Sequence, residues 1–178
     1  MGKITRVKPV KLIAGFIFKD GKNFNQAEHI LTRKFGKIDF KSQFLAFNYT
    51  DYYAKELGSG LNRVFISFQD LISPRDLSSI KVAANRIEER LSLKGNRLVN
   101  IDPGYLDAAR LILASTKDYA HRVYLDKGIF AELTLIFKGH SFKSWEWTYP
   151  DYKSEEYIAI FNKIREIFLR QCQPTPHT

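Results

Sequence analysis

The segment Ser115-Thr-Lys-Asp-Tyr-Ala-His-Arg122 concentrates two hydroxyls, an ammonium, an imidazole and a guanidinium within eight residues. Such groups grip phosphate or carboxylate through charge-assisted hydrogen bonds. Lys117 would neutralise the anion, while Ser115 and Arg122 would bond to it. His121, an imidazole that titrates near neutrality, would carry a proton.

Further polar groups stand where strands should begin or end: Thr50-Asp-Tyr-Tyr53, Asn62-Arg63, Asn100 with Asp102, and Lys8 with Lys11. Asp51, Asn100 and Asp102 could orient a polar ligand, or hold a divalent cation such as magnesium through hard oxygen ligands. Arg63 would balance charge, and Asp102 joins His121 as a catalytic candidate. The same residue types also collect at strand ends because turns need them.

Several chemistries are excluded. There is no Gly-x-x-x-x-Gly-Lys-Ser/Thr loop, no Gly-x-Ser-x-Gly elbow and no His-Glu-x-x-His pair. The base-reading Asn-Lys-x-Asp pattern of GTPases fails at Lys117, because Thr116 replaces Asn and Asp118 follows directly. A single cysteine, Cys172, excludes an internal disulfide and any multi-cysteine zinc site. His29, His121, His140 and His177 are too dispersed to mark a metal site.

The chain of 178 residues is 44% hydrophobic and 26% charged, with 14 Phe and 9 Tyr. That suits one domain over residues 1–172 with a flexible tail at 173–178. The net charge of +9 sits mostly in the N-terminal third. It is compatible with an anionic partner, although a lysine-rich solvated surface is the preferred account. No apolar run approaches the roughly 20 residues of a membrane span, and the basic N-terminus lacks the apolar stretch of a signal peptide. The expectation is a soluble, cytoplasmic protein with no membrane partner.

The elements that must position these groups follow from periodicity. Lys11–Phe18 is a strand apolar on both faces, hence central and covered on both sides. Helical spacing runs from Phe24 to Phe35, with Gly36 as the cap. Strands follow at 42–49 and 62–68. Ser73-Pro-Arg-Asp76 opens a helix with a capping-box-like start, buried through Leu77, Ile80, Ala84, Ile87 and Leu91 and ended by Gly95. A fourth strand over 97–101 stops at Asp102-Pro-Gly104, and 105–113 forms a short helix. Strands at 121–125 and 129–137 flank a hairpin loop at Asp126-Lys-Gly128. Ser154 caps a final amphipathic helix.

The order β-α-β-β-α-β predicts an α+β fold with a ferredoxin-like core, extended by a C-terminal β-hairpin and helix. With the first and third strands central and parallel, and the second and fourth opposed to them, one sheet edge would gather Asp51, Asn100, Asp102, Arg63, Lys8 and Lys11. In the hairpin, Arg122 would face Glu132, Tyr124 would face Phe130, and His121 would face Leu133 on the apolar side. The aromatic stretch Trp145–Tyr152 would dock the last helix on the sheet or stack on a base or sugar.

Leu57-Gly-Ser-Gly-Leu-Asn-Arg-Val-Phe-Ile-Ser-Phe68, Asn100-Ile-Asp-Pro-Gly-Tyr105, Leu113–Arg122 and Ile129–Thr134 together resemble a prokaryotic family catalogued as domain of unknown function 4416. Its members often carry the label GTP-binding protein. The resemblance spans nearly the whole chain and implies no established activity or functional residue.

The leading expectation is a protein that binds a small anionic ligand, phosphorylated or carboxylated, and acts on it if it is an enzyme. The alternatives are an RNA-binding module using Phe65 and Phe68 as a stacking platform, and a structural or regulatory partner in an oligomer.

Overall fold

A computed structural model describes residues 2–50 and 52–173, and of Ala54 and Lys55 the backbone alone. Asp51 and the tail beyond Gln173 lie outside the described residues. The chain runs β1 (Val10–Phe18), α1 (Gly21–Phe35), β2 (Ile38–Lys41), β3 (Leu45–Phe47), α2 (Ala54–Leu57), β4 (Leu61–Ile72), α3 (Leu77–Arg90), β5 (Val99–Leu106), β6 (Arg110–Ser115), β7 (Arg122–Asp126), β8 (Ile129–Lys138), β9 (Ser141–Ser144) and α4 (Glu155–Gln171). Short 3-10 turns at Pro74–Asp76 and Asp151–Lys153 precede α3 and α4.

The strands form one nine-stranded sheet in the order β2-β4-β1-β5-β6-β8-β7, with β3 also on β4 and β9 on β8. Every pairing is antiparallel. The protein is therefore α+β, with helices on both sheet faces. Leu12, Ala14, Phe16 and Phe18 pack with Phe24, Leu31, Ile80, Ala84 and Ile87 beneath α1 and α3. Ile13, Phe65, Leu106 and Leu135 pack with Tyr157, Phe161, Ile164 and Phe168 of α4. Burial of each such side chain contributes on the order of 1.5–3 kcal/mol, which is why β1, apolar on both faces, occupies the centre.

Capping follows side-chain chemistry in two helices. The Asp20 carboxylate accepts from the Lys22 amide ahead of α1, and the Ser154 hydroxyl accepts from the Tyr157 amide ahead of α4. Ser73 makes no side-chain cap bond. There the 3-10 turn begun by Pro74 leads into α3, which stops at Arg90, short of Gly95.

Several expectations are corrected. The strand expected over 42–49 shortens to β3 at Leu45–Phe47, and a strand not expected, β2 at Ile38–Lys41, precedes it; between them the Ser42 hydroxyl accepts from the Phe65 amide. The fourth strand does not stop at Asp102-Pro103-Gly104 but runs through to Leu106. The expected helix over 105–113 is a strand turn into β6. The Asp107 carboxylate accepts from the Ala109 and Arg110 amides and fixes that turn, leaving Leu111, Ile112 and Leu113 to pair as strand.

The central strands β1 and β4 are antiparallel, not parallel. Phe18 lies opposite Asn62 and Val99, whereas Lys11 lies opposite Leu71 and Leu106. Lys11 is thus at the far end of the sheet from Arg63. Its buried ammonium is held by Asp39 and by Gln171 Oε1 at 2.6 Å. Lys8 precedes β1 at that same end, so neither lysine joins the expected rim.

Candidate functional site

The site exists because β5 and β6 diverge. They pair only through Gly104, Tyr105 and Leu106, while β5 stays on β1 from Val99 onward. Pro103 has no amide proton to offer a neighbour and suits a strand side without a ladder. At Gly104 the approach is so close that a Cβ would collide with the Ile112 carbonyl.

Helix α3 seals the free edge with side chains. Lys81 Nζ donates to the Ile101 carbonyl at 2.8 Å, and Glu88 Oε1 accepts from the Ile101 amide at 2.5 Å. Burial raises the Glu88 carboxyl above its usual range, against the pull of Lys81. The divergence leaves a cleft of about 770 Å³.

Arg63 lies at its base, 1% exposed. Its Nη1 reaches Asp102 Oδ2 at 3.3 Å, and its Nη2 donates to the Tyr152 hydroxyl. The guanidinium lies 4.7 Å from the Phe65 ring centre and 5.2 Å from that of Tyr152. Burial alone would weaken its hold on the proton, but Tyr152 and Asp102 outweigh it and the net shift is upward. The Tyr53 and Tyr152 phenols are raised, first by burial. Burial also raises Asp151, although Arg63 opposes it.

Around Arg63 the charges are interlocked. Asn100 Nδ2 donates to Asp102 Oδ2 at 2.9 Å, and Lys81 Nζ stands 3.9 Å from Asp102 Oδ1. Arg97 bonds to Asn100, Glu88 and both carboxylate oxygens of Glu56, and its side-chain bond is the chief reason the Glu56 carboxyl is lowered.

The opposite wall comes from β6, β7 and the loop between them. Arg122 and Glu132 are cross-strand partners, as the register required. Arg122 Nε donates to Glu132 Oε2 at 2.9 Å, Nη1 donates to Ser115 Oγ and the Lys117 carbonyl, and Nη2 donates to the Tyr149 hydroxyl. Both ion-pair side chains are 2% exposed. Tyr124 faces Phe130, also as expected, but a bulge then sets Asp126, not Leu125, against Ile129. The expected three-residue loop becomes a Lys127-Gly128 turn with φ of 56° and 74°, the left-handed pair of a two-residue hairpin.

Lys117 differs from these cations. Its ammonium lies 4.2 Å from the Tyr52 ring centre, and among the described residues it meets no carboxylate. Tyr49, Tyr52, Tyr119 and Tyr149, 40–58% exposed, surround the mouth.

The structure thus gathers Arg63, Asn100, Asp102, Ser115, Lys117 and Arg122 on one cleft. Asp51 lies outside the described residues. His121 is placed differently. It precedes β7, its Nε2 lies 3.2 Å from Glu132 Oε2, and its ring stacks on Trp147 at 5.7 Å. Trp147 stacks in turn on Trp145. The imidazole is thus behind the cleft-lining Glu132. Phe65 and Phe68, the expected RNA platform, are buried under helices on opposite faces. Asp102 is flanked by two cations, Arg63 and Lys81, which opposes a divalent ion there, and no trio of His, Cys, Asp or Glu converges among the described residues.

Sequence reasoning missed Lys81, Glu88, Arg97, Asp151 and Tyr152. One available signal was Lys81 and Glu88, polar residues seven apart beside the apolar stripe of α3. Another was Gly15, a glycine in mid-strand.

Fold and cleft define a class: an α+β protein with one two-sided antiparallel sheet, split to expose an interlocked charge network beneath a tyrosine rim. The chain belongs to the family described as domain of unknown function DUF4416, whose model matches residues 8–168. No curated protein and no solved structure matches it. Among the described residues, no helix is long and apolar enough to cross a membrane.

Proposed function

We propose that the cleft binds a small anionic ligand, phosphorylated or carboxylated. The observation that carries this reading is Lys117, a cation on the cleft wall with no carboxylate partner among the described residues, beside Arg63, Arg97 and Arg122, which all have one. Among the described residues, its charge on the cleft wall is not taken up by a carboxylate. Ser115 and Arg122 shape the loop that presents it, and Asp102 and Asn100 set the polarity of the base. The chemistry that follows binding, if the protein is an enzyme, would draw on Asp102, a half-buried carboxylate at the base of the cleft. His121 would act only indirectly, through Glu132.

The framework for this site is read as a ferredoxin-like βαββαβ core extended by the C-terminal strands and helix. The spatial order β2-β4-β1-β5, antiparallel throughout, with α1 and α3 on one face, supports it.

Thermal shift with phosphate, pyrophosphate, citrate, malate and phosphorylated metabolites tests the reading. At least one anion should stabilise the wild type, and Lys117→Ala should lose that shift while keeping its own melting temperature. A stabilising anion whose shift survives Lys117→Ala would remove the assignment.

A further inference from the structure

Beside Lys117, what the cleft offers a ligand is ring surface. The polar groups of the base are bonded to one another: Arg63 and Asn100 hold Asp102, and Arg97 holds Asn100, Glu56 and Glu88. The rest of the lining is largely apolar and aromatic, from Ile17, Phe47 and Leu113 up to the tyrosines of the mouth. The space of about 770 Å³ is far more than a phosphate ion needs and has the size of a site for a larger organic molecule.

The four tyrosines of the mouth are not equivalent. Tyr49 packs edge-on against Tyr157 at 5.9 Å, and the Tyr149 hydroxyl accepts from Arg122 Nη2, so both serve the frame. Tyr52 and Tyr119 are the most exposed of the four, at 58% and 47%. They belong to the two walls, Tyr52 between β3 and α2 and Tyr119 between β6 and β7. Each has a cation on its ring. Lys117 Nζ lies 4.2 Å from the Tyr52 ring centre, and the Arg122 guanidinium lies 4.5 Å from that of Tyr119. Arg122 also donates to the Lys117 carbonyl, so both rings are held beside the residue that takes the anion. Exposed aromatic rings gathered at one opening mark a binding surface, and rigid rings stack on flat ligands.

Resting on the anion-site reading, we propose that the ligand is an aromatic anion, its phosphate or carboxylate on Lys117 and its ring against Tyr52 and Tyr119. A free aryl acid and the base of a nucleotide share this chemistry.

Calorimetric titration at low salt of three pairs tests it: phenyl and cyclohexyl phosphate, benzoate and cyclohexanecarboxylate, and uridine monophosphate and ribose 5-phosphate. In at least one pair the aromatic member should bind roughly 5-fold or more tighter, since the partner keeps the charge and loses the stacking. The pair showing the ratio identifies the source. Tyr52→Leu and Tyr119→Leu should melt near wild type, and at least one should bring the pair close to parity while leaving inorganic phosphate binding unchanged. Lys117→Ala should weaken every ligand and leave the ratio intact. Equal affinities within every pair, or inorganic phosphate or citrate binding as tightly as the aromatic ligands, would overturn the ring and leave an anion site. A ratio that survives both leucine variants would also overturn the ring's placement on these tyrosines. Failure of every anion, phosphate and citrate included, would overturn both readings. If neither leucine variant folds, the wild-type ratio decides.

Discussion

The Arg63 guanidinium fills the space that a side chain on Gly15 would need. A Cβ at position 15 would stand 2.9 Å from Arg63 Nη2 and 3.0 Å from the Phe65 ring. Both glycine and arginine lie on the sheet face covered by α4, one strand apart. The strand is held at its centre by the smallest residue so that a buried cation can lie across it.

Gly15→Ala should therefore displace Arg63 and destabilise the protein by about 1–3 kcal/mol, the cost of overpacking a filled interior. Chemical denaturation measures it. A loss below about 0.5 kcal/mol would show that the guanidinium has other room.

Removing the cation should cost more. Arg63→Ala leaves the Tyr152 hydroxyl without its donor and Asp102 with Asn100 and the more distant Lys81 alone, and breaking a buried pair from one side costs about 3–5 kcal/mol. Arg63→Lys should recover only part, because an ammonium cannot bond Asp102 and Tyr152 while lying flat on Phe65. Equal stability of Arg63→Lys and wild type would rule out that geometry.

Much of this frame was legible. β1 shows its burial on both faces in its residues, and Arg122 opposite Glu132 follows from counting back from the hairpin. What misled was local chemistry overridden by context. Asp102-Pro103-Gly104 has the composition of a turn. It continues as strand because β5 needs a ladder on one side only, and Gly104 is demanded by the closeness of β6 rather than by a turn. Parallel central strands would put Lys11 on the rim, but β1 and β4 run antiparallel instead. Reversing one strand sends it to Asp39 at the other end. Lys81 and Glu88 stand out as polar residues beside the stripe of α3, but no periodicity announces that a helix will cap a strand's free edge with them.

The pair Arg122 and Glu132 offers a direct measure of coupling. Each single alanine variant strands a buried charge, so each should cost about 3–5 kcal/mol. The double variant should cost less than their sum, by about 0.5–3 kcal/mol. Urea denaturation of the four proteins gives the value. Strict additivity would mean that the bonds of Arg122 to Ser115 and Tyr149, not the ion pair, hold it in place.

Asp151 predicts a pH dependence of opposite sign to an ordinary ion-paired carboxylate. Burial raises its folded-state pKa above the unfolded value, so the folded protein holds the proton more tightly than the unfolded chain. Stability from this group is full below the unfolded pKa of about 3.9, and it falls as pH rises from there to the folded pKa, then levels. Asp151→Asn keeps the shape and removes the titration. Measured against wild type by melting at several pH values, the variant should gain relative stability as pH rises above about 4. Glu56, lowered chiefly by its bond from Arg97, should behave in reverse. Glu56→Gln should lose relative stability as pH rises towards the unfolded glutamate value of about 4.3 and keep a constant deficit above it. A constant offset between Asp151→Asn and wild type across the range would mean that Arg63 keeps Asp151 ionised despite its burial.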